Sequence, residues 1–340
     1  MVRILGLCMS LYLASYLYPA WASKQEETSK NPEELEQGHV TLICTAVDLA
    51  SIGHKTEFPL DGTYRLESDI DLTGVKLRPI GDVKKPFQGK IYGNSYTITQ
   101  LYISHSDDNA GLFGMLAKGA LVQDLYLEIG TVEGKSRVGL LVGWNQGTIR
   151  DCYATGNVQG IDNIGGLVGM NDEDGQLVNC QACCQVLGVR HEVGGLVGCN
   201  RGYIIDGRAQ GVVKGTRLVG GCVGTNDEGG QLIHCMALGK VIGKYWVGGL
   251  VGHNWFRGQV IHCMAAVEAI GEAYVGGLAG FNYAEAIIAR SVATGPVTGD
   301  TYTGVFVGSS RGTITYGPKV QESRWSNRPQ KSTLRLPPRF

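Results

Sequence analysis

The sequence predicts an all-β chain, a parallel β-helix (solenoid) with coils of about 26–29 residues. The first observation is a repeated phrase. VGGLVGHN at residues 247–254 recurs at 138–145 (VGLLVGWN), 164–171 (IGGLVGMN), 193–200 (VGGLVGCN), 219–226 (VGGCVGTN) and 275–282 (VGGLAGFN), with weaker copies at 109–115 and 303–310. The second is its period. The last glycines of the copies, Gly114, Gly143, Gly169, Gly198, Gly224, Gly252, Gly280 and Gly308, are spaced by 29, 26, 29, 26, 28, 28 and 28 residues. A constant interval carried by short strand-like words indicates stacked coils. The third is a clean alternation of inner and outer residues after each phrase.

That alternation is counted back from the glycines closing each second segment: Gly160, Gly188, Gly215, Gly243, Gly271 and Gly299. Two positions earlier stand Val158, Val186, Val213, Val241, Ala269 and Val297, and six earlier stand Ala154, Ala182, Ala209, Ala237, Ala265 and Ala293. Eight earlier stand Cys152, Cys180, Gly207, Cys235, Cys263 and Ser291. These columns share one parity, so they point to one side of a strand and suit a narrow core. The opposite parity holds Asp151, Asn179, Asp206, His234, His262 and Arg290, which belong in water. The Val and Leu of the phrase differ in parity, so the pattern does not decide which of them faces inward.

In chain order, residues 1–22 read as a signal peptide: Arg3, an apolar run shorter than a membrane span, and Ala20-Trp21-Ala22 before Ser23. No later run is apolar enough to span, so no membrane span is expected after cleavage. Residues 23–40 form an acidic linker, and 41–106 a cap with the first coils. Within that cap a short helix is expected from Thr45 to Ile52, then strands at 64–72, 90–92 and 96–103 separated by turn residues. Residues 107–316 carry the repeats. Residues 317–340 are a basic, Pro-containing tail. With 30 basic and 31 acidic residues the chain has a formal charge of −1, which excludes a broadly basic nucleic-acid surface, and no nucleic-acid partner is expected.

The lead-in "DIDLTG…PIG…PFQGKIYGNSYTITQLYI…AGLFG", followed by the G-G-L-V-G copies, resembles bacterial GLUG-motif proteins over roughly residues 60–316. The resemblance implies a right-handed parallel β-helix in a secreted or cell-surface chain. Adhesin-like proteins and some IgA-cleaving peptidases share the repeat. It names a scaffold more firmly than an activity.

The ladder asparagines Asn145, Asn171, Asn200, Asn226, Asn254 and Asn282 end successive phrases. Coils about 4.8 Å apart bring identical amides within hydrogen-bonding reach, and Asn also tolerates the left-handed backbone of a sharp turn. The candidate ligand-binding residues are Trp246, Tyr274 and Tyr302, spaced by 28 just before successive phrases, with Tyr245, Trp255 and Phe256 nearby. Such a stripe is either a stabilising ring ladder or a platform for a glycan or protein ligand. Asp206, His234 and His262, one per coil, are the candidate metal ligands, against the plainer reading of a solvated column.

No cofactor is otherwise required. Calcium is the cation that the acidic turns at 171–175 and 226–229 would suit. Stacked Cα spacing permits a disulfide, with Cys235–Cys263 the pair most open to it. No catalytic residue is assigned. Gly308-Ser-Ser310-Arg-Gly312 has the G-x-S-x-G form, but Ser310 stands where other copies carry the ladder Asn. His191-Glu192 lacks the second His of a zinc peptidase. Cys180-Gln-Ala-Cys183 lacks the second pair of a zinc site. A non-catalytic, adhesin-like or structural β-solenoid binding through its flank is therefore expected. The alternative is a polysaccharide lyase or hydrolase on the same scaffold.

Overall fold

The computed structural model describes residues 40–104 and 107–315. The expected signal peptide, nearly all of the linker and the tail lie outside them. The unit that begins at Val40 is a parallel β-solenoid whose strands form sheets of 11, 16 and 8 members, here A, B and C. A representative coil places Val223–Asn226 in C, Gln231–Ile233 in A, and Met236–Ile242 and Tyr245–Gly248 in B. Each strand pairs in parallel with its counterpart one coil away, as Ala237 does with Ala209 and Ala265.

The N-terminal end is closed by a helix, α1 (Ala46–Ser51). Its capping box joins Asp48 N to Thr45 Oγ1 at 3.2 Å and Thr45 N to Asp48 Oδ2 at 2.9 Å. Beneath it Phe58, Tyr64, Phe87 and Phe113 pack ring on ring at 6.4, 6.3 and 5.0 Å. The stretch expected as one strand at 64–72 is two, Thr63–Leu66 in sheet A and Ile70–Asp71 in sheet B. The stretch at 96–103 is likewise split into Thr97–Thr99 and Tyr102–Ser104 around Gln100, whose φ is 58°. Apolar alternation continues across a coil corner, so periodicity alone does not register the corner.

The alanine, valine and cysteine columns face inward. Ala154, Ala182, Ala237 and Ala265 are fully buried, as are the sheet A residues Ile149, Leu177, Ile204, Leu232, Val260 and Ile288. The question left open by parity has a definite answer: Val247, Leu250 and Val251 are all fully buried. The chain turns between Gly248 and Leu250, and the turn exists because backbones touch there. A Cβ on Gly248 would lie 1.9 Å from the Val251 carbonyl oxygen, and one on Gly249 would lie 2.0 Å from the Gly277 oxygen of the next coil. Neither glycine has a left-handed φ, so close approach, not backbone freedom, selects glycine here.

The asparagines form a continuous buried ladder. Nδ2 of each donates to Oδ1 of the next at 2.8, 2.8, 2.8, 2.9 and 2.9 Å from Asn145 through Asn282. In Asn145 through Asn254 the same nitrogen also donates to a glycine carbonyl of its own turn, as Asn254 does to Gly258 at 3.1 Å. The ladder ends where Asn282 donates to Ser310 Oγ at 3.2 Å and Ser310 donates to Gly312. The left-handed backbone expected of these asparagines is absent from them. It falls in two other columns, described below. The thiols of Cys235 and Cys263 are free, each donating to backbone carbonyls, so the disulfide considered for this pair is not formed. Among the described residues no helix is long and apolar enough to cross a membrane.

Candidate functional site

The last glycine of each phrase positions the site. A Cβ on Gly252 would stand 2.5 Å from the Leu218 carbonyl carbon, and one on Gly280 2.6 Å from that of Trp246. Each sheet C strand therefore lies directly against a short sheet B strand of an earlier coil. Two outward columns come to lie side by side on one flank. The first is Arg137, Asn163, Glu192, Leu218, Trp246, Tyr274 and Tyr302, every member left-handed with φ between 52 and 60°. The second is Trp144, Met170, Cys199, Thr225, His253, Phe281 and Ser309, paired in register along sheet C.

Over the C-terminal coils this flank is aromatic. Trp246 stacks on Tyr274 at 5.9 Å and 18°, and Tyr274 on Tyr302 at 4.5 Å and 1°. The three sequence-predicted residues thus come together as a ladder, their faces turned on one another along the coil axis. A flat platform would instead turn those faces to solvent. His253 lies under the ladder, stacked on Trp246 at 6.4 Å and edge-on to Trp255, Phe281 and Tyr283 at 4.6, 5.4 and 6.4 Å. Trp255 also meets Tyr283 at 4.0 Å. Arg217 covers Tyr245 and Trp246 at 5.6 and 5.9 Å, and Arg257 covers Phe256 at 4.9 Å. On this part of the flank the rings most open to solvent are Trp255 at 37%, Phe256 at 40% and Tyr302 at 41%. Burial pushes the His253 pKa down to about 3, so its imidazole is neutral.

Toward the N-terminus the same flank becomes charged. Arg137 lies 5.2 Å from the Trp144 ring, whose Nε1 donates to Asp172 at 3.1 Å. Glu192 accepts from Asn163 Nδ2. Burial pushes its carboxyl up to about 7, reinforced by Asp227 and opposed by Arg201. Arg201 faces Asp227 at 3.6 Å and Glu228 at 3.3 Å.

The other expected sites are arranged as follows. In the second left-handed column His234 lies 3.8 Å from Asp206 and 5.3 Å ring to ring from His262, while His262 meets the cationic Arg290 at 3.5 Å. Among the described residues no three His, Cys, Asp or Glu side chains converge as a metal site. In the acidic turns, Asp172 accepts from Trp144 and Gln146, Asp174 pairs with Lys118 at 2.9 Å, and Asp227 and Glu228 face Arg201. Their oxygens answer protein donors and are not gathered on one point. Ser310 occupies the ladder position, and Cys183 accepts a hydrogen bond from Gln181 at 3.3 Å.

Sequence reading missed His253, Phe281, Tyr283 and the pairing of Arg201 with Asp227 and Glu228 across coils. One signal was available: the seventh position of the phrase is Trp, Met, Cys, Thr, His or Phe while its neighbours repeat. A variable position inside a fixed phrase marks an outward side chain.

The profile of the GLUG motif matches residues 134–159. A halomucin of Haloquadratum walsbyi is 33% identical over 153 residues, covering 41% of this chain and 2% of that protein. A protein named as a candidate Gly-rich membrane protein of Evansella cellulosilytica is 43% identical over 96 residues, covering 25% of this chain and 11% of that protein. The chain thus spans a small fraction of the length of either relative. A solved structure, a candidate immunoglobulin A1 protease from Bacteroides ovatus, superposes with a TM-score of 0.48 at 17% identity, covering 82% of this chain and 85% of that one. With the motif matched once and its phrase repeated on successive coils, the chain is a parallel β-solenoid that carries the GLUG motif.

Proposed function

We propose that this chain is a non-catalytic, secreted or cell-surface β-solenoid that binds a glycan or protein ligand through its aromatic flank. The observation that carries the reading is the concentration of Trp246, Trp255, Phe256, Tyr274, Phe281, Tyr283 and Tyr302 on one flank of successive coils, with three of these rings more than a third exposed. Contiguous exposed rings cost solubility and are characteristic of interaction surfaces. The names of the halomucin and of the Gly-rich membrane protein support a surface setting.

The ladder stacking also stabilises the coils, so binding is assigned to the open rings, Trp255 and Phe256 foremost. The test compares the full chain with Trp255→Ala/Phe256→Ala on immobilised neutral and acidic polysaccharides, cell walls and extracellular proteins. Retention of at least one of these by the parent, lost in the variant at an unchanged melting temperature, is expected. Equal retention by both would remove the flank from consideration.

A second reading, a polysaccharide-cleaving enzyme, is favoured by one observation: Glu192, Asp227 and Glu228 gather around Arg201 on the same flank, with the Glu192 carboxyl held near 7. Release of reducing ends or unsaturated products from the same polysaccharides, abolished in Glu192→Gln, would establish it.

A further inference from the structure

Three buried polar side-chain atoms lack a hydrogen-bond partner among the described residues: Arg201 Nε, Thr225 Oγ1 and His253 Nε2. All three lie on the flank already described, on successive coils. Arg201 has its acidic neighbours at ion-pair distance. Thr225 and His253 have no such compensation. They are register partners in sheet C, 5% and 9% exposed, at the foot of the aromatic cluster. An unpaired donor or acceptor in a ring-lined interior is destabilising, and native folds rarely keep one without a use.

The fold does not require these residue types. The same column carries Met170 and Cys199 in neighbouring coils, which make no comparable demand. Two hydroxyl-matching groups therefore stand one coil apart, about 4.8 Å, a rise comparable to the length of one hexose unit in a linear chain. Trp255, on an exposed turn and edge-on to the imidazole at 4.6 Å, is the nearest of the four rings around His253.

We infer that Thr225 and His253 form the polar floor of a subsite for a neutral linear saccharide, reached when the Trp255 ring turns aside. Successive sugar hydroxyls hydrogen-bond Thr225 Oγ1 and His253 Nε2, and the displaced Trp255 packs on the apolar face of a sugar ring. A neutral ligand fits the surroundings. The imidazole is uncharged, Arg217 already lies over Tyr245 and Trp246, and Arg257 is paired with Glu285 at 3.1 Å. This inference rests on the proposed flank binding and assigns its ligand class.

The experiment is calorimetric titration of the full chain with neutral hexasaccharides of glucose, mannose and xylose. At least one is expected to bind. For that one, His253→Leu and Thr225→Val should each weaken affinity tenfold or more, and Trp255→Ala should remove binding. The melting temperatures of His253→Leu and Thr225→Val should be unchanged or higher, because each substitution removes an unpaired polar atom from the interior. A merely structural role predicts the opposite, lower melting with affinity intact. Undiminished affinity in both floor variants overturns the inference, even where Trp255→Ala abolishes binding and the flank reading survives. Absence of binding to every hexasaccharide overturns it as well, and leaves the flank to be judged by its protein and cell-wall ligands.

Discussion

Glu192 and His253 are both held out of water, and burial shifts them in opposite directions. The Glu192 carboxyl titrates near 7 in the fold against about 4.3 in an unfolded chain. Its raised value favours the protonated form, so the stability it contributes is present below about pH 4.3 and is lost as pH rises toward 7. Glu192→Gln, which keeps an oxygen for Asn163, should raise the melting temperature at pH 8 and leave it unchanged at pH 4. His253 titrates near 3 against about 6.5 unfolded. Its stability is present above about pH 6.5 and is lost as pH falls toward 3, so His253→Leu should flatten the acid limb of a melting-against-pH curve between about 6.5 and 4. A third residue-scale effect comes from the backbone. Arg290 is exposed with φ 50° in a column that carries Asp and Asn in earlier coils. Because Asn tolerates this conformation at less cost, Arg290→Asn should stabilise by about 0.5–1 kcal/mol in chemical denaturation.

At the scale of the coil, three glycines, one asparagine and one alanine define the repeat. Ala237 packs toward Gly221, which has no side chain, and is fully buried between Ala209 and Ala265. Ala237→Leu should therefore cost about 1–3 kcal/mol or more. His234→Ala, three residues earlier and exposed, should change stability by less than about 0.5 kcal/mol. Equal losses of melting temperature would reverse the inside–outside assignment. That assignment was legible because a narrow core admits only small side chains at one parity, and the repeat displays each column many times over. The amide ladder was legible for the same reason. Which residues share the outer flank was not. Adjacency of Trp246 and His253 depends on the Gly248–Gly249 turn folding a sheet C strand back onto sheet B, a contact between backbones that leaves no trace in side-chain periodicity. The left-handed columns were hidden too, since Leu218, Trp246 and Arg290 are not residues that advertise such a backbone.

Over the solenoid as a whole, stability is a sum of coil and neighbour terms, and the two ends are unequal. At the N-terminal end α1 covers the first coil, with Leu49 and Ile52 fully buried. At the other end every apolar column finishes half-covered. Ala293, Val297, Phe306, Val307 and Ile314 are only partly buried, whereas their counterparts one coil earlier, Ala265, Ala269, Leu278, Ala279 and Ile288, are fully so. The polar ladders finish there as well, with Ser291 following the cysteines and Ser310 following the asparagines. Among the described residues, those of the last coil are thus stacked on one side only, and local opening should begin there. Hydrogen exchange followed by mass spectrometry should show the sheet A strands Thr313–Thr315 and Ile287–Ala289 exchanging first. Thr148–Arg150 through Gln231–Ile233 should exchange last. A saccharide bound at Thr225 and His253 lies at the edge of the slow region and should leave the fast end fast. Protection that is uniform along the solenoid, or lowest beneath α1, would contradict this picture of one covered and one open end.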